Sequence, residues 1–250
     1  MIEPFYIEFR LRGYAKRYAR WVKSCVHKEA KKLRIRNILT RSHVSHITLF
    51  GPARTNHIRQ VINDIETISR RYTLVPFSFG GFGGFVNQDA NYLYFQIEPS
   101  RALVQLRCKL AQTLIQKHDM VGGSCTPFDK SSKFKFHSTI GKFSPREKEK
   151  FIQLLDIVKK KCTFEEFKKH KATVFEKLIL YISSLFIREG EKDTRITLHL
   201  LRITVLGRRS HIRCEYDLIL KKKLSRREAL SRYWDKRTYE KFKELKKNSS

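Results

Sequence analysis

Val44-Ser45-His46-Ile47-Thr48-Leu49-Phe50 and Phe134-Lys135-Phe136-His137-Ser138-Thr139-Ile140-Gly141-Lys142-Phe143 are two apolar runs that carry the same short pattern. Each places a histidine and a threonine two residues apart, followed by an apolar residue. In a β-strand, residues i and i+2 point to one face, so each run aims an imidazole and a hydroxyl into the same space. Two such strands facing each other would set two histidines and two hydroxyls around one cavity. Histidine populates both protonation forms near neutral pH, so one ring can take a proton while the other gives one. The hydroxyls can hold phosphate oxygens without altering the charge of the site. This set suits the cutting or moving of a phosphodiester, and it calls for no metal. Simple β-propensity for the threonines, and half-buried strand histidines bonded to backbone, are the plainer alternatives.

Working outward, the runs between these strands read as strand and helix in alternation. Phe5 to Leu11 alternates as a strand, and Gly13 breaks it. Tyr14, Tyr18, Trp21, Val22, Cys25, Val26, Ala30 and Leu33 then recur at helical spacing, with Lys16, Arg17, Arg20, Lys23 and Lys31 on the other face. The aromatic stripe reads as core rather than as a base-stacking surface. Gly51-Pro52 is expected to end the first motif strand, and Thr55 or Asn56 to cap a helix with Ile58, Val61, Ile62, Ile65 and Ile68 inside. Tyr72 to Phe79 reads as a strand, followed by a flexible turn or bulge at Gly80-Gly81-Phe82-Gly83-Gly84-Phe85. That glycine run lacks the spacing of a phosphate-binding loop. Tyr92 to Ile97 is a strand, and Pro99-Ser100 opens a helix with Leu103, Leu106, Leu110 and Leu114 inside. Residues 119–133 read as a long polar loop.

After the second motif, Ser144-Pro145-Arg146-Glu147 has the form of a capping box ahead of Phe151, Leu154, Leu155 and Val158. A shorter helix start follows at Thr163. Strand-like runs then occupy 172–188, 196–206 and 211–220, with Gly190 and Gly207 in turns. Ser225-Arg226-Arg227-Glu228 is a further capping box, and the helix after it carries Leu230, Tyr233, Trp234, Phe242 and Leu245. Residues 221–250 hold 12 Lys/Arg against 4 Asp/Glu, either a solvated face of a docked helix or an arm that lengthens a nucleic-acid footprint.

The composition narrows the partner. The 250 residues carry 53 Lys+Arg against 24 Asp+Glu, a formal +29, which favours a polyanion. A solubilising surface or an adaptation to salt or temperature is the alternative. With 41% apolar residues, 18 of them Phe, the chain can build a core. Five cysteines with no C-x-x-C unit argue against a disulfide framework or a zinc site. Met1-Ile2-Glu3-Pro4 opens straight into a strand-like run, so no signal peptide is expected. No run reaches the roughly 18 apolar residues of a membrane span, and a cytoplasmic protein is the default.

The paired motifs resemble those of the two-histidine (2H) phosphoesterase superfamily, in its RNA 2′,3′-cyclic phosphodiesterase and 2′-5′ RNA ligase branch. That family is marked by two His-x-[Thr/Ser]-apolar motifs, here His46-Ile47-Thr48-Leu49 and His137-Ser138-Thr139-Ile140. Pro76 to Phe85 is similar to the family's strand and glycine-phenylalanine turn, and Tyr92 to Ser100 to its next strand and helix start. The likeness covers residues 4–143 and resumes at 196–220, where a closing hairpin would fall. It implies an α+β, bilobal fold, with two antiparallel sheets lining a central cleft and helices outside. Residues 1–220 would form that two-lobed domain, with an insertion at about 144–195, and residues 221–250 a basic C-terminal helical extension.

By the same resemblance, His46 and His137 are the acid-base pair, and Thr48 and Thr139 bind the phosphate. Lys142 stands where relatives often place a basic residue and would also contact phosphate, though it is equally read as a surface cation. Phe50 is the candidate for stacking on a base. The implied reaction opens a 2′,3′-cyclic phosphate on RNA or a small nucleotide to a 2′-phosphate, with no metal and no cofactor. A 2′-5′ ligation in the same site, or a non-catalytic module that binds RNA ends, are the alternatives. The longer stretch at 144–195, the basic tail and the basic first helix depart from a minimal member, and they leave the substrate open rather than the chemistry.

Overall fold

Alternating runs with one apolar and one polar face must bury the first against something, and here two sheets do so against shared helices. The computed structural model describes residues 3–39, 44–118, 134–171, 198–208 and 211–248. The polar loop expected at 119–133, the strand-like run at 172–188 and the turn at Gly190 lie outside the described residues.

Among the described residues, one sheet has five strands in the order β2-β1-β7-β8-β9, and the other has four in the order β5-β4-β3-β6. The first comprises β1 (Glu3–Arg10), β2 (His46–Thr55), β7 (Arg202–Leu206), β8 (Ile212–Asp217) and β9 (Lys222–Ser225). The second comprises β3 (Val75–Val86), β4 (Asn91–Pro99), β5 (His137–Phe143) and β6 (Leu198–Leu200). All pairings are antiparallel. The closing hairpin expected at 196–220 is β7–β8, while β6 joins the other sheet. The fold is α+β. The first motif strand β2 and the second motif strand β5 lie against each other where the two sheets meet.

The α-helices among the described residues are α1 (Gly13–Lys32), α2 (Ile58–Ser69), α3 (Arg101–Lys117), α4 (Lys148–Lys161), α5 (Phe164–Lys171), α6 (Arg226–Ala229) and α7 (Arg232–Lys247). The aromatic stripe of α1 is core: Tyr18 is buried among Trp21, Phe79, Phe95, Phe164 and Phe167. Its hydroxyl donates to the Cys162 carbonyl at 2.9 Å, so the one polar atom of that ring is satisfied. Phe151, Leu154 and Val158 of α4 and Phe167 of α5 enter the same core cluster. The first part of the stretch read as an insertion is therefore packed into the body of the fold.

Several local expectations change in detail. β2 continues through Gly51 and Pro52 to Thr55, because β1 pairs with it as far as Glu3. Thr55 accepts from the His57 N–H at 3.0 Å just ahead of α2, whose own N-cap residue, His57, makes no side-chain cap. Of the turn and the bulge expected for the glycine run, the bulge is the form taken, and β3 continues through it. Gly80 is the extra residue opposite β4, and Gly81 takes φ +111°, a conformation that favours glycine. Ser225 and Glu228 form a complete capping box, but it opens only the four-residue α6, and Ser231 then caps α7. The boundary expected at residue 220 falls inside the sheet, since β9 pairs with β8 from Cys214 to Asp217.

Candidate active site

The register of β1 against β2 fixes which side chains share the first motif's face. Arg10 pairs with His46 and Glu8 with Thr48, so these four stand on one face of the sheet. Phe9 and Ile7 pair with Ile47 and Phe50 on the opposite, core face. Between Thr48 and Phe50 the ladder slips, and Leu49 is the extra residue of a bulge. The second motif repeats this device. His137 pairs with Gln96 and Thr139 with Tyr94; the ladder then slips, with Ile140 as the extra residue, and resumes at Gly141 opposite Leu93. In both copies, then, the bulge falls on the buried apolar residue that ends the motif.

These bulges decide two side chains that alternation alone misplaces. Phe50 lies four residues after His46, and even spacing would set it on the histidine's face. The bulge turns it inward instead: it is 0% exposed and stacks on Phe5 at 6.0 Å. Phe50 is a core residue and is not available to stack on a base. Lys142 lies five residues after His137, and odd spacing would point it away. The bulge brings it back opposite Tyr92, which shares the face of Tyr94 and Gln96, and its Nζ sits 5.3 Å from the Tyr92 ring. His137, Thr139 and Lys142 thus share one face, half-buried.

The two imidazoles are held alike. His46 Nδ1 bonds the Val44 carbonyl at 2.9 Å, and His137 Nδ1 bonds the Lys135 carbonyl at 3.0 Å. A carbonyl only accepts, so Nδ1 carries the hydrogen, and in each neutral ring the lone pair sits on Nε2. Burial pushes the His137 imidazole below its ordinary pKa, the Lys135 carbonyl opposes this, and the charge of His46 adds to the lowering. Each ring is therefore within electrostatic reach of the other.

A model of the 2′-5′ RNA ligase superfamily matches residues 14–176, a span that contains both motifs. The chain belongs to the 2′-5′ RNA ligase superfamily. The superfamily match starts after β1 and ends before β6, so Glu8, Arg10 and the C-terminal helices lie outside it. Among solved structures, the chain is similar to Kluyveromyces marxianus Usb1 with uridine monophosphate, at 11% identity, covering 82% of this chain and 92% of that one with a TM-score of 0.46. It is also similar to E. coli LigT complexed with ATP, at 12% identity, 90% and 98% coverage and a TM-score of 0.41. No curated protein matches the chain.

Around the paired motifs stand residues that sequence reading did not single out. Glu8 is 4% exposed, and its Oε2 lies 3.6 Å from His46 Nδ1 while Arg10 Nε donates to its Oε1 at 2.7 Å. On the other strand, Phe85 and Tyr94 meet the His137 ring edge-on, each at 5.3 Å, and stack on one another at 4.3 Å. Gly83 makes room for this, because a Cβ there would come within 2.5 Å of the Tyr94 ring. The signal that could have found Glu8 is its two-residue spacing from Arg10 on a strand that must pair with β2. Among the described residues, no three His, Cys, Asp or Glu side chains group as a metal site, and no helix is long and apolar enough to cross a membrane.

Proposed function

We propose that this protein hydrolyses the 2′,3′-cyclic phosphate of an RNA end or a nucleotide to a 2′-phosphate, using His46 and His137 as its acid and base. The observation that carries this reading is the matched setting of the two rings: the same Nδ1 bond, on abutting strands, with one ring feeling the other's charge. Thr48 and Thr139 stand beside them as neutral donors for phosphate oxygens, and Lys142 as a cation on the His137 side.

The roles follow from the surroundings. Burial favours the neutral form of His137, which suits a base that takes a proton from water. The attacking water oxygen forms a bond to phosphorus, and the bond from phosphorus to the 3′ oxygen breaks. His46, with the Glu8 carboxylate 3.6 Å from Nδ1 to complement a positive ring, gives its proton to the departing 3′ oxygen. The products are a 3′-hydroxyl and a 2′-phosphate, and the proton ends on His137. If a ribose 5′-hydroxyl replaces water, the same two rings form a 2′-5′ linkage, which is the ligase reading.

The test uses an RNA ending in a 2′,3′-cyclic phosphate, with chelator present, beside His46→Ala and His137→Ala. Loss of hydrolysis in both variants supports the pair, and full activity in either removes that histidine from an essential role. An RNA with a free 5′-hydroxyl added to the tube reads out ligation. Tight RNA binding without turnover under any condition would favour the binding-module reading.

A further inference from the structure

The C-terminal helix α7 lies on the same sheet face as the first motif. Glu8 pairs with Thr204, and Thr204 shares its face with Arg202 two residues earlier. Arg202 is 1% exposed because α7 covers it: its Nη2 donates to Thr238 Oγ1 at 2.6 Å, and its Nη1 meets Asp235 Oδ1 at 2.8 Å. Further along α7, Phe242 packs on His199 of β6 at 5.2 Å. The helix therefore bridges an inner strand of one sheet and the edge strand of the other.

Under this bridge, between α7 and the start of α1, is a cavity of about 560 Å³. Its volume is that of an ordinary small-ligand site, and Phe9 and Phe77 form its floor. Lys16, Arg17 and Lys246 stand in its wall with the rings of Tyr14, Tyr239 and His199. Among the described residues, Asp235 is the one carboxylate in the lining, and it is already bonded by Arg12 and Arg202. Lys16 is held below its ordinary pKa first by burial and then by the charges of Arg20, Arg12 and Arg10, with Asp235 opposing. Like charges gathered in a half-enclosed space cost stability unless an anion neutralises them. Arg10, whose charge reaches Lys16, is the cross-strand partner of His46 and is itself paired with Glu8 at 2.7 Å, so the cavity neighbours the first motif.

Cations that alternate with exposed aromatic rings in a concave groove suit single-stranded nucleic acid, with phosphates on the cations and bases on the rings. Tyr239 is 52% exposed and presents open ring surface, whereas the Tyr14 ring is packed on Phe164 and Phe167. We infer that the cavity between α1 and α7 holds the RNA strand leading to the cyclic-phosphate end, so that the substrate is an oligoribonucleotide rather than a free nucleotide. This rests on the proposed function for the identity of the end, but the cavity is a separate binding surface.

The test compares an RNA of about ten nucleotides ending in a 2′,3′-cyclic phosphate with uridine 2′,3′-cyclic phosphate. Wild-type protein is expected to show a KM for the RNA at least roughly tenfold lower than for the nucleotide. Lys16→Glu with Arg17→Glu, and separately Tyr239→Ala, should each raise the RNA KM about tenfold and leave the kinetics of the nucleotide unchanged. The charge variant should also flatten the slope of log affinity against log salt by about 0.7 for each phosphate no longer neutralised. Equal KM values for the two substrates in wild type, or variants that slow both alike, would overturn the inference. If neither substrate is turned over, the proposed function fails. Fluorescence anisotropy with the same RNA then decides the cavity alone: weaker binding in both variants supports it, and unchanged binding overturns it.

Discussion

Arg202→Met tests whether α7 is docked on the sheet by a dry ionic cluster. Arg202 Nε donates to Asp217 Oδ2 at 2.8 Å and Nη1 to Glu215 Oε2 at 3.4 Å, and both carboxylates are 0% exposed. Methionine refills most of the volume, so the loss is of charge and donors rather than of packing. Removing one partner of a buried ion pair costs about 3–5 kcal/mol, because the other charge stays buried. Two features argue for the lower end here. Arg12 keeps Glu215 paired at 2.6 and 2.8 Å. Asp217 keeps the Thr238 hydroxyl and the N–H groups of Ile219 and Leu220. A loss of about 3 kcal/mol in a domain of this size lowers the melting temperature by about 6–12 °C. Calorimetry reads the melting temperature, and hydrogen exchange over residues 232–247 shows whether α7 opens earlier. Arg70→Met, which breaks an exposed pair with Glu66, serves as the contrast and should barely move the melting temperature. A fall of under about 3 °C in Arg202→Met, with α7 still protected, would refute the buried-cluster reasoning.

Burial holds the His137 imidazole below its ordinary value of 6.5, and this fixes a pH dependence. The unfolded chain binds the proton first as pH falls through 6.5, so the folded protein loses stability there, and the acid limb of kcat/KM should have its midpoint below 6.5. A midpoint at or above that value would contradict His137 as the base. Gly83→Ala places a Cβ 2.5 Å from Tyr94 and pushes its ring against His137. A shift of about 1 Å should cut turnover by about a hundredfold with little change in melting, and adding Tyr94→Leu should recover much of it; unaltered turnover in Gly83→Ala would count against a packed His137. Phe50→Ala should cost about 3–5 kcal/mol of stability in a denaturant titration and leave the KM of the folded fraction unchanged, whereas a raised KM at full stability would restore a base-stacking role.

The strand and helix periods carried much of this into view from sequence. The two-residue spacing of His46 and Thr48, and of His137 and Thr139, already put each pair on one face. The 3.6-residue period of Tyr18, Val22 and Val26 marked the buried side of α1. What alternation cannot register is an extra residue. The bulges at Leu49 and Ile140 reverse the facing of everything after them, so Phe50 enters the core and Lys142 returns to the site face. Partners distant in the chain were equally out of sight. Glu8 reaches His46 only through strand pairing, and Arg202 meets Thr238 across 36 residues of separation. For that reason the charge of residues 221–250 could not by itself distinguish a free arm from a docked helix. The glycine run left a turn and a bulge both open, because glycine serves either in isolation. Beside β4, its missing side chains make space for Tyr94.

The proposed chemistry depends above all on two imidazoles sharing one phosphate. Nitrogen-15 NMR of the histidine rings during titration with a nucleoside 2′-monophosphate, the proposed product, reads this out at both rings. With a shared phosphate, the Nε2 resonances of His46 and His137 both shift and saturate along a single binding curve. A shift at only one ring, or two curves with separate dissociation constants, would mean that the rings do not share it.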